Sequence, residues 1–357
     1  MLPSVDLMLQ GASQGEVAAY MANHGRLDPA ALRPFIAENG LSYISVYQGG
    51  DVTKKESFKA LQVNNGTLRR DEWKQLDDAI LPIARTRLAG IADLESAGLV
   101  YNLGNAMGTT VLEHHTISDA LTAEMTMDGV TRAKNDRVEY GTEYLPIPII
   151  HVDYEINARS LEASRKLGNP LDTTNAEYAT RKVAEQLESL LFTDKQYQFG
   201  AGKIYSYVNY PHRNPVALKI AWDDSAITPE LMVKDVLDLK AASIAAKHYG
   251  PWVIYIPTSY ERYLDEDYNA TSGKTIRTRI LEISGIKDIK VSDTLAGDNI
   301  LLVQMTPDVV RLVKGLPIQN VQWQQEGMFV NKYKVLTIQV PQIRSDHANN
   351  CGIVHMA

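Results

Sequence analysis

From Leu121 to Met127 apolar and polar side chains alternate without a break: Leu121, Ala123, Met125 and Met127 fall on one side, Thr122, Glu124 and Thr126 on the other. That period of two predicts a half-buried strand. Past a polar stretch with Asp128-Gly129, Arg132, Lys134, Asp136 and Arg137, the alternation resumes as Val138, Tyr140 and Tyr144 against Glu139 and Glu143. Two strands and a charged tip predict a hairpin arm, its turn at Asp128-Gly129 or at Asn135-Asp136. Seven residues of strand reach roughly 23 Å, and a lone two-stranded ribbon is marginal in water. Its apolar stripe, Leu121, Met125, Tyr140 and Tyr144, therefore needs a cover, and the expected cover is another copy of the chain. Arg132, Lys134, Asp136 and Arg137 carry both signs of charge and are expected to pair across that contact.

Elsewhere the period lengthens to that of a helix. Thr174-Asn175-Ala176-Glu177 reads as a capping box opening a helix to about Thr193, roughly 30 Å long. Ala176, Ala179, Val183, Leu187, Leu190 and Leu191 form its apolar stripe, with Glu177, Arg181, Lys182, Glu185 and Glu188 on the remaining, polar surface. Residues 71–97 form a second amphipathic helix around Trp73, Leu76, Ile80, Ile83, Leu88 and Ile91, kinked or broken at Pro82. Ahead of it, residues 1–70 read as an arm: a short helix from Asp28-Pro29 to Ala37 stopped by Asn39-Gly40, then an exposed connection from Asp51 to Lys59. An apolar strand is expected at 147–152 and a helix at 157–166. The C-terminal half interleaves helices at 228–247, 258–264 and 275–283 with strands at 252–256, 289–291, 300–305, 309–312 and 335–340, followed by a polar tail. This predicts an α+β chain whose C-terminal region holds a mixed sheet.

Composition narrows the class. With 45% hydrophobic residues, 357 residues can bury a core, and no run approaches the roughly 20 apolar residues of a membrane span. The N-terminal MLPSVDLMLQ lacks the basic start and apolar run of a signal peptide, so export is not expected. The one cysteine, Cys351, cannot form an internal disulfide. A net charge of −7, from 36 basic and 43 acidic residues, gives no footprint for gripping nucleic acid, although such a chain could enclose it.

Chemical motifs are approached and missed. Phosphate loops need a glycine four residues before Gly-Lys-Ser/Thr, and at Gly202-Lys203 and Gly273-Lys274 that place is Tyr197 and Tyr268. His114-His115 point to opposite sides of a strand and are expected to be solvated. His347, Cys351 and His355 could share a zinc ion only on a helix, which Asn349-Asn350 and Gly352 oppose. Asp223-Asp224, Asp265-Glu266-Asp267 and Asp71/Asp77/Asp78 read as turns and helix starts. No cofactor, metal or catalytic constellation is predicted.

A leading amphipathic helix, an extended hairpin, the strand YLPIPIIHVDYEI, a helix pair ending in NAEYATRKVAEQLESLLF and an α/β region opening GPWVIYIPTSYERYLDE together resemble the major capsid proteins of tailed phages and the encapsulins. These share the Hong Kong ninety-seven fold, and the resemblance spans roughly residues 71–345. It implies an N-terminal arm at 1–70, a leading helix and the way into a peripheral domain at 71–112, and an extended loop at 113–144. It further implies a peripheral domain at 145–224 with a spine helix at 174–194, an axial domain at 225–335, and a return strand and tail at 336–357. The implied function is that of a tailed-phage major capsid protein, a non-enzyme assembling in the host bacterial cytoplasm as hexamers and pentamers of itself into the virion's icosahedral head. It would enclose DNA without reading its sequence, with portal, scaffolding and decoration proteins as further partners and no membrane contact. Simple encapsulins begin near the leading helix, so the residues preceding it favour a phage capsid. An encapsulin shell is the alternative, ahead of a tail module or an unrecognised enzyme. Some phage capsids crosslink a loop lysine to a neighbour's asparagine. Lys134 stands at the matching place, but the asparagine and acid have no identifiable counterparts, and a salt-bridging lysine is expected. The arm has too little core to order itself, so it is expected to tie subunits together, to stay uncleaved from Met1, and to leave scaffolding to a separate protein or to none.

Overall fold

The computed structural model describes residues 33–357 apart from 48–53, 55–56, 64–65, 88, 105, 118–139, 168–172, 269–272, 327–328 and 347. Residues 33–69 are more structured than an arm. Strands β1 (Phe35–Ile36), β2 (Ser42–Tyr47), β3 (Phe58–Val63) and β4 (Leu68–Arg69) form one sheet in the order β3-β2-β1-β4. Alternation along β2 and β3 turns Ile44, Val46, Leu61 and Val63 inward, and Leu68 is fully covered. The helix expected to run to Ala37 therefore does not, and Lys59, expected in an exposed connection, is a strand residue. Gly40, at φ +76°, makes the turn between β1 and β2.

Helix α1 (Arg70–Arg87) starts where Glu72 reaches back to the Arg69 amide at 2.7 Å and takes two 2.8 Å bonds from Arg165. Burial pushes the Glu72 carboxyl up, but the hydrogen bonds from Arg165 and Arg69 outweigh it and leave it below the usual carboxylate range. The helix continues through Pro82 to Arg87, and α2 (Ala89–Ser96) follows. An interior proline costs about 3 kcal/mol, which burial of Trp73, Leu76 and Ile80 at about 1.5–3 kcal/mol apiece offsets.

The middle of the chain holds β5 (Val100–Asn102), the antiparallel pair β6 (Val111–Ile117) and β7 (Tyr140–Pro146), β8 (Ile150–Asn157), α3 (Ala158–Leu167) and α4 (Thr174–Phe192). Helix α4 is the beam of the molecule. Its Ala176, Ala179 and Val183 pack with Trp73, Leu76, Tyr333 and Val335, while Leu187, Leu190, Leu191 and Phe192 join a second cluster with Tyr207 and Tyr255. Its start differs from the expected capping box. Thr173, not Thr174, is the cap; its backbone is αR, and its hydroxyl donates to Glu177 Oε1 at 2.6 Å rather than accepting from the helix.

Glu188 also departs from expectation, being 4% exposed. Its Oε1 accepts from the Gly90 amide at 2.7 Å, capping α2, while Oε2 and the Tyr207 hydroxyl find no partner among the described residues. Burial pushes the Glu188 carboxyl up to about 7 despite the Gly90 and Ile91 amides. A Cβ on Gly90 would meet Phe192 at 2.7 Å, so glycine lets α2 sit on the end of α4.

Beyond it follow β9 (Tyr197–Phe199), β10 (Gly202–Ile204), β11 (Asn214–Val216), α5 (Pro229–Ala245), β12 (Trp252–Pro257), α6 (Thr258–Leu264), α7 (Ile276–Leu281), β13 (Ile286–Ser292), β14 (Ile300–Gln304), β15 (Val310–Glu326), β16 (Val330–Ile343) and β17 (Ile353–Met356). Five of them make a sheet ordered β11-β17-β14-β12-β13. Val253, Tyr255, Leu301, Val303 and Ile353 face α2 and the end of α4, and Ile254, Ile256, Leu302, Val354 and Met356 face α5, α6 and α7. Covered on both faces, these strands are continuous apolar runs. The expected polar tail is thus corrected: β17 lies inside the sheet, and Cys351 and Ile353 are fully buried. The strand expected at 309–312 runs on through Glu326 and pairs with β16 in a long hairpin flanked by β5 and β8. Register shifts at 314/316, 316/319 and 322/324 break its alternation, which hides its length in the sequence.

Candidate assembly interface

Strands β6 and β7 pair as a two-stranded ribbon. Their register sets Tyr144 opposite Glu113, His115 opposite Thr142, and His114 opposite Glu143. Leu145 is buried and Leu112 packs beside it, in a cluster with Ile147, Ile204, Val313, Leu336 and Ile338. That anchoring turns the His114 side chain inward, while Glu143 and Tyr144 stay exposed, Tyr144 at 41%. A Cβ on Gly202 would fall 2.8 Å from the Tyr144 carbonyl oxygen, so the absence of a side chain lets β10 lie against the ribbon.

His114 was expected to be solvated, yet its side chain is only 9% exposed. Nε2 lies 2.9 Å from Glu143 Oε2, and this hydrogen bond holds the Glu143 carboxyl below its ordinary range. His114 and Glu143 line a cleft of about 300 Å³ together with Tyr144, Lys203, Tyr205, Tyr210 and Gln342. Gln342 is 1% exposed; its Oε1 accepts from Arg311 Nε at 2.5 Å. Neither Gln342 Nε2 nor His114 Nδ1 finds a hydrogen-bond partner among the described residues. Sequence reasoning missed this juxtaposition because Gln342 lies 228 positions beyond His114 and packing between two separate sheets, not strand pairing, brings β16 to the ribbon.

Of the residues predicted for the interface, Tyr144 is placed as above and Tyr140 begins β7, its backbone paired with Ile117. Leu121, Met125, Arg132, Lys134, Asp136 and Arg137 lie outside the described residues.

The remaining groups are structural. No set of three or more His, Cys, Asp or Glu residues among those described could hold a metal ion. His355 sits on β17 between Arg213 and Asn299, and burial and Arg213 push its imidazole down to about 4. Burial pushes the Cys351 thiol up to about 12. Gly202 belongs to a strand, and Gly273 stands at φ +57° ahead of α7. No helix among the described residues is long and apolar enough to cross a membrane.

The sequence pattern of a family of unknown function, DUF6260, matches residues 62–356. The type 1 encapsulin shell protein EncA of Myxococcus xanthus is 29% identical over 126 residues, 35% of this chain and 42% of that protein, so the match spans less than half of that relative. Among solved structures, a virus-like particle from Pyrococcus furiosus aligns with a TM-score of 0.58 at 19% identity, over 80% of this chain and 99% of its own. The capsid of Myoviridae phage XM1 aligns with a TM-score of 0.56 at 10% identity, over 73% of this chain and 90% of its own. The capsid of the native GTA particle gives 0.54 at 11% identity, over 82% and 92%. At these identities the likeness is one of fold: an α+β chain with the Hong Kong ninety-seven-like fold of capsid and encapsulin shells.

Proposed function

We propose that this chain, which belongs to the family of unknown function DUF6260, is the major capsid protein of a tailed double-stranded DNA phage. Copies associate as hexamers and pentamers into the head of the virion within the host bacterial cytoplasm. The observation that carries the reading is the fold, because one chain combines a two-stranded ribbon, a long helical beam and a five-stranded sheet, as in capsid subunits aligned over 73% and 82% of its length. In this reading residues 113–144 are an extended loop laid on a neighbour, 145–224 a peripheral unit built on α4, and 225–335 an axial unit that β17 completes. The net charge of −7 suits a wall that encloses DNA without gripping it. Portal, scaffolding and decoration proteins are the partners such a head would take.

A second reading is a protein-filled compartment, favoured by the 29% identity to EncA over 126 residues. Negative-stain images of the purified particles, followed by nuclease treatment and extraction, separate the two. Closed shells holding nuclease-protected double-stranded DNA support the phage head. Shells holding protein and no protected DNA support the compartment, and a purified chain that forms no closed shell overturns both.

A further inference from the structure

Arg311 is held in a fixed pose and left without an acid. It stands at the start of β15, on the rung opposite Gln342 of β16. Gln342 is 1% exposed and its Oε1 accepts from Arg311 Nε at 2.5 Å, while Arg311 Cζ lies 4.6 Å from the centre of the Tyr101 ring on β5. One edge of the guanidinium is thus tied to a buried strand and one face to an aromatic ring. Its two Nη groups make no hydrogen bond or ion pair among the described residues. The ladder continues past Ile343, where the Arg344 amide donates to the Val309 carbonyl at 2.8 Å, and the Arg344 side chain comes close enough for its charge to act on Arg311. Arg344 likewise has no acid within ion-pair distance among the described residues. The carboxylate whose field it shares, Glu143, is bonded to His114 at 2.9 Å. Both arginines are half-buried, and burial and Arg344 together push the Arg311 guanidinium below its ordinary range. Two like charges partly withdrawn from water oppose each other unless an anion offsets them. A guanidinium already fixed through its Nε and its face loses little freedom when its Nη edge takes two oxygens of one oxyanion.

We propose that the Nη edge of Arg311, with Arg344 as a second charge, is a binding site for a single oxyanion. Two sources share that chemistry: free phosphate, and the carboxylate of an acidic side chain on a second copy of this chain, which carries 43 acidic residues against 36 basic ones. Only the second source rests on the shell reading above.

Two variants and two readouts test it. Arg344→Gln removes the second charge, and Arg311→Lys keeps a charge but loses the fork. The full-length wild-type subunit, held below the concentration at which it associates, is expected to unfold about 2 °C higher in inorganic phosphate than in chloride of equal ionic strength, and both variants are expected to lose that difference. That result assigns the site to free phosphate. If phosphate has no such effect, the carboxylate source is supported when both variant subunits unfold within about 2 °C of wild type in chloride yet need about tenfold more protein to assemble. A phosphate effect that both variants retain lies elsewhere on the molecule and counts as none. No phosphate effect at this site, together with assembly of both variants at the wild-type concentration, overturns the proposal while the shell reading stands. No phosphate effect in a wild-type chain that forms no particles overturns both. Should Arg311→Lys fail to fold, Arg344→Gln decides alone.

Discussion

Glu188 shows how one side chain can change role between sequence and structure. On a helical wheel it belongs with the surface charges, but the side of α4 that carries it is covered by α2, and the carboxyl caps that helix through Gly90. Because the folded chain raises its pKa from 4.5 to about 7, the folded state holds the proton more tightly than the unfolded one. The stabilisation is therefore complete below about pH 4.5 and is lost as pH rises through about 7. At about 1.4 kcal/mol per pH unit, wild type is expected to lose on the order of 3 to 4 kcal/mol over that window from this group. Glu188→Gln mimics the protonated form, so its denaturation midpoint should match wild type near pH 5 and exceed it at pH 8. Urea titrations of the isolated subunit at both pH values check this, and equal midpoints at pH 8 would refute it. Glu72 acts with the opposite sign, since its carboxyl is held below the ordinary range and its contribution is lost on acidification.

At the scale of elements, β17 and the ribbon make contrasting predictions. Strand β17 pairs with β11 on one side and β14 on the other, and Ile353, Val354 and Met356 are buried on both faces of the sheet. At about 1.5–3 kcal/mol for each large side chain, ending the chain after Asn350 forfeits on the order of 5 kcal/mol, comparable to the whole stability of a domain. The truncated protein should be insoluble or rapidly proteolysed, and a soluble, protease-resistant product would show that the strand is dispensable. Among the described residues, the ribbon contributes to the body through Leu112 and Leu145, next to Ile147. Replacing Met125 and Tyr140 by aspartate is therefore expected to leave a folded subunit by circular dichroism while abolishing particles by electron microscopy. Normal shells from the double variant would remove the ribbon from the interface.

For the whole molecule, the prediction concerns charge. Exposed ion pairs are worth about 0–1 kcal/mol each, but a shell repeats each contact many times, so a small contact energy decides the yield. If Arg132, Lys134, Asp136 and Arg137 pair with a neighbour, particle yield should fall as salt rises toward 1 M, and a variant neutral at all four positions should assemble less well at low salt and respond little to more. A flat yield in both proteins would exclude an electrostatic latch.

Periodicity alone determined much of the chain: α4, α5 and α6, strand β12, and the return of alternation into β7 were legible because each buries one regular face or a short continuous run. The α+β class and the likeness to shell proteins were legible in the order of those elements. Three features were decided only by tertiary structure. The sheet at 33–69 and the last strand β17 are short segments whose burial depends on neighbours distant in sequence, so their local pattern looked like arm and tail. The length of β15 was hidden by bulges that break the period. The polar pairings of Glu188 with α2, and of His114 and Gln342 in one cleft, follow from which faces the packed elements present to each other, and a carboxylate or an imidazole has the same letter whether it meets water or a buried amide.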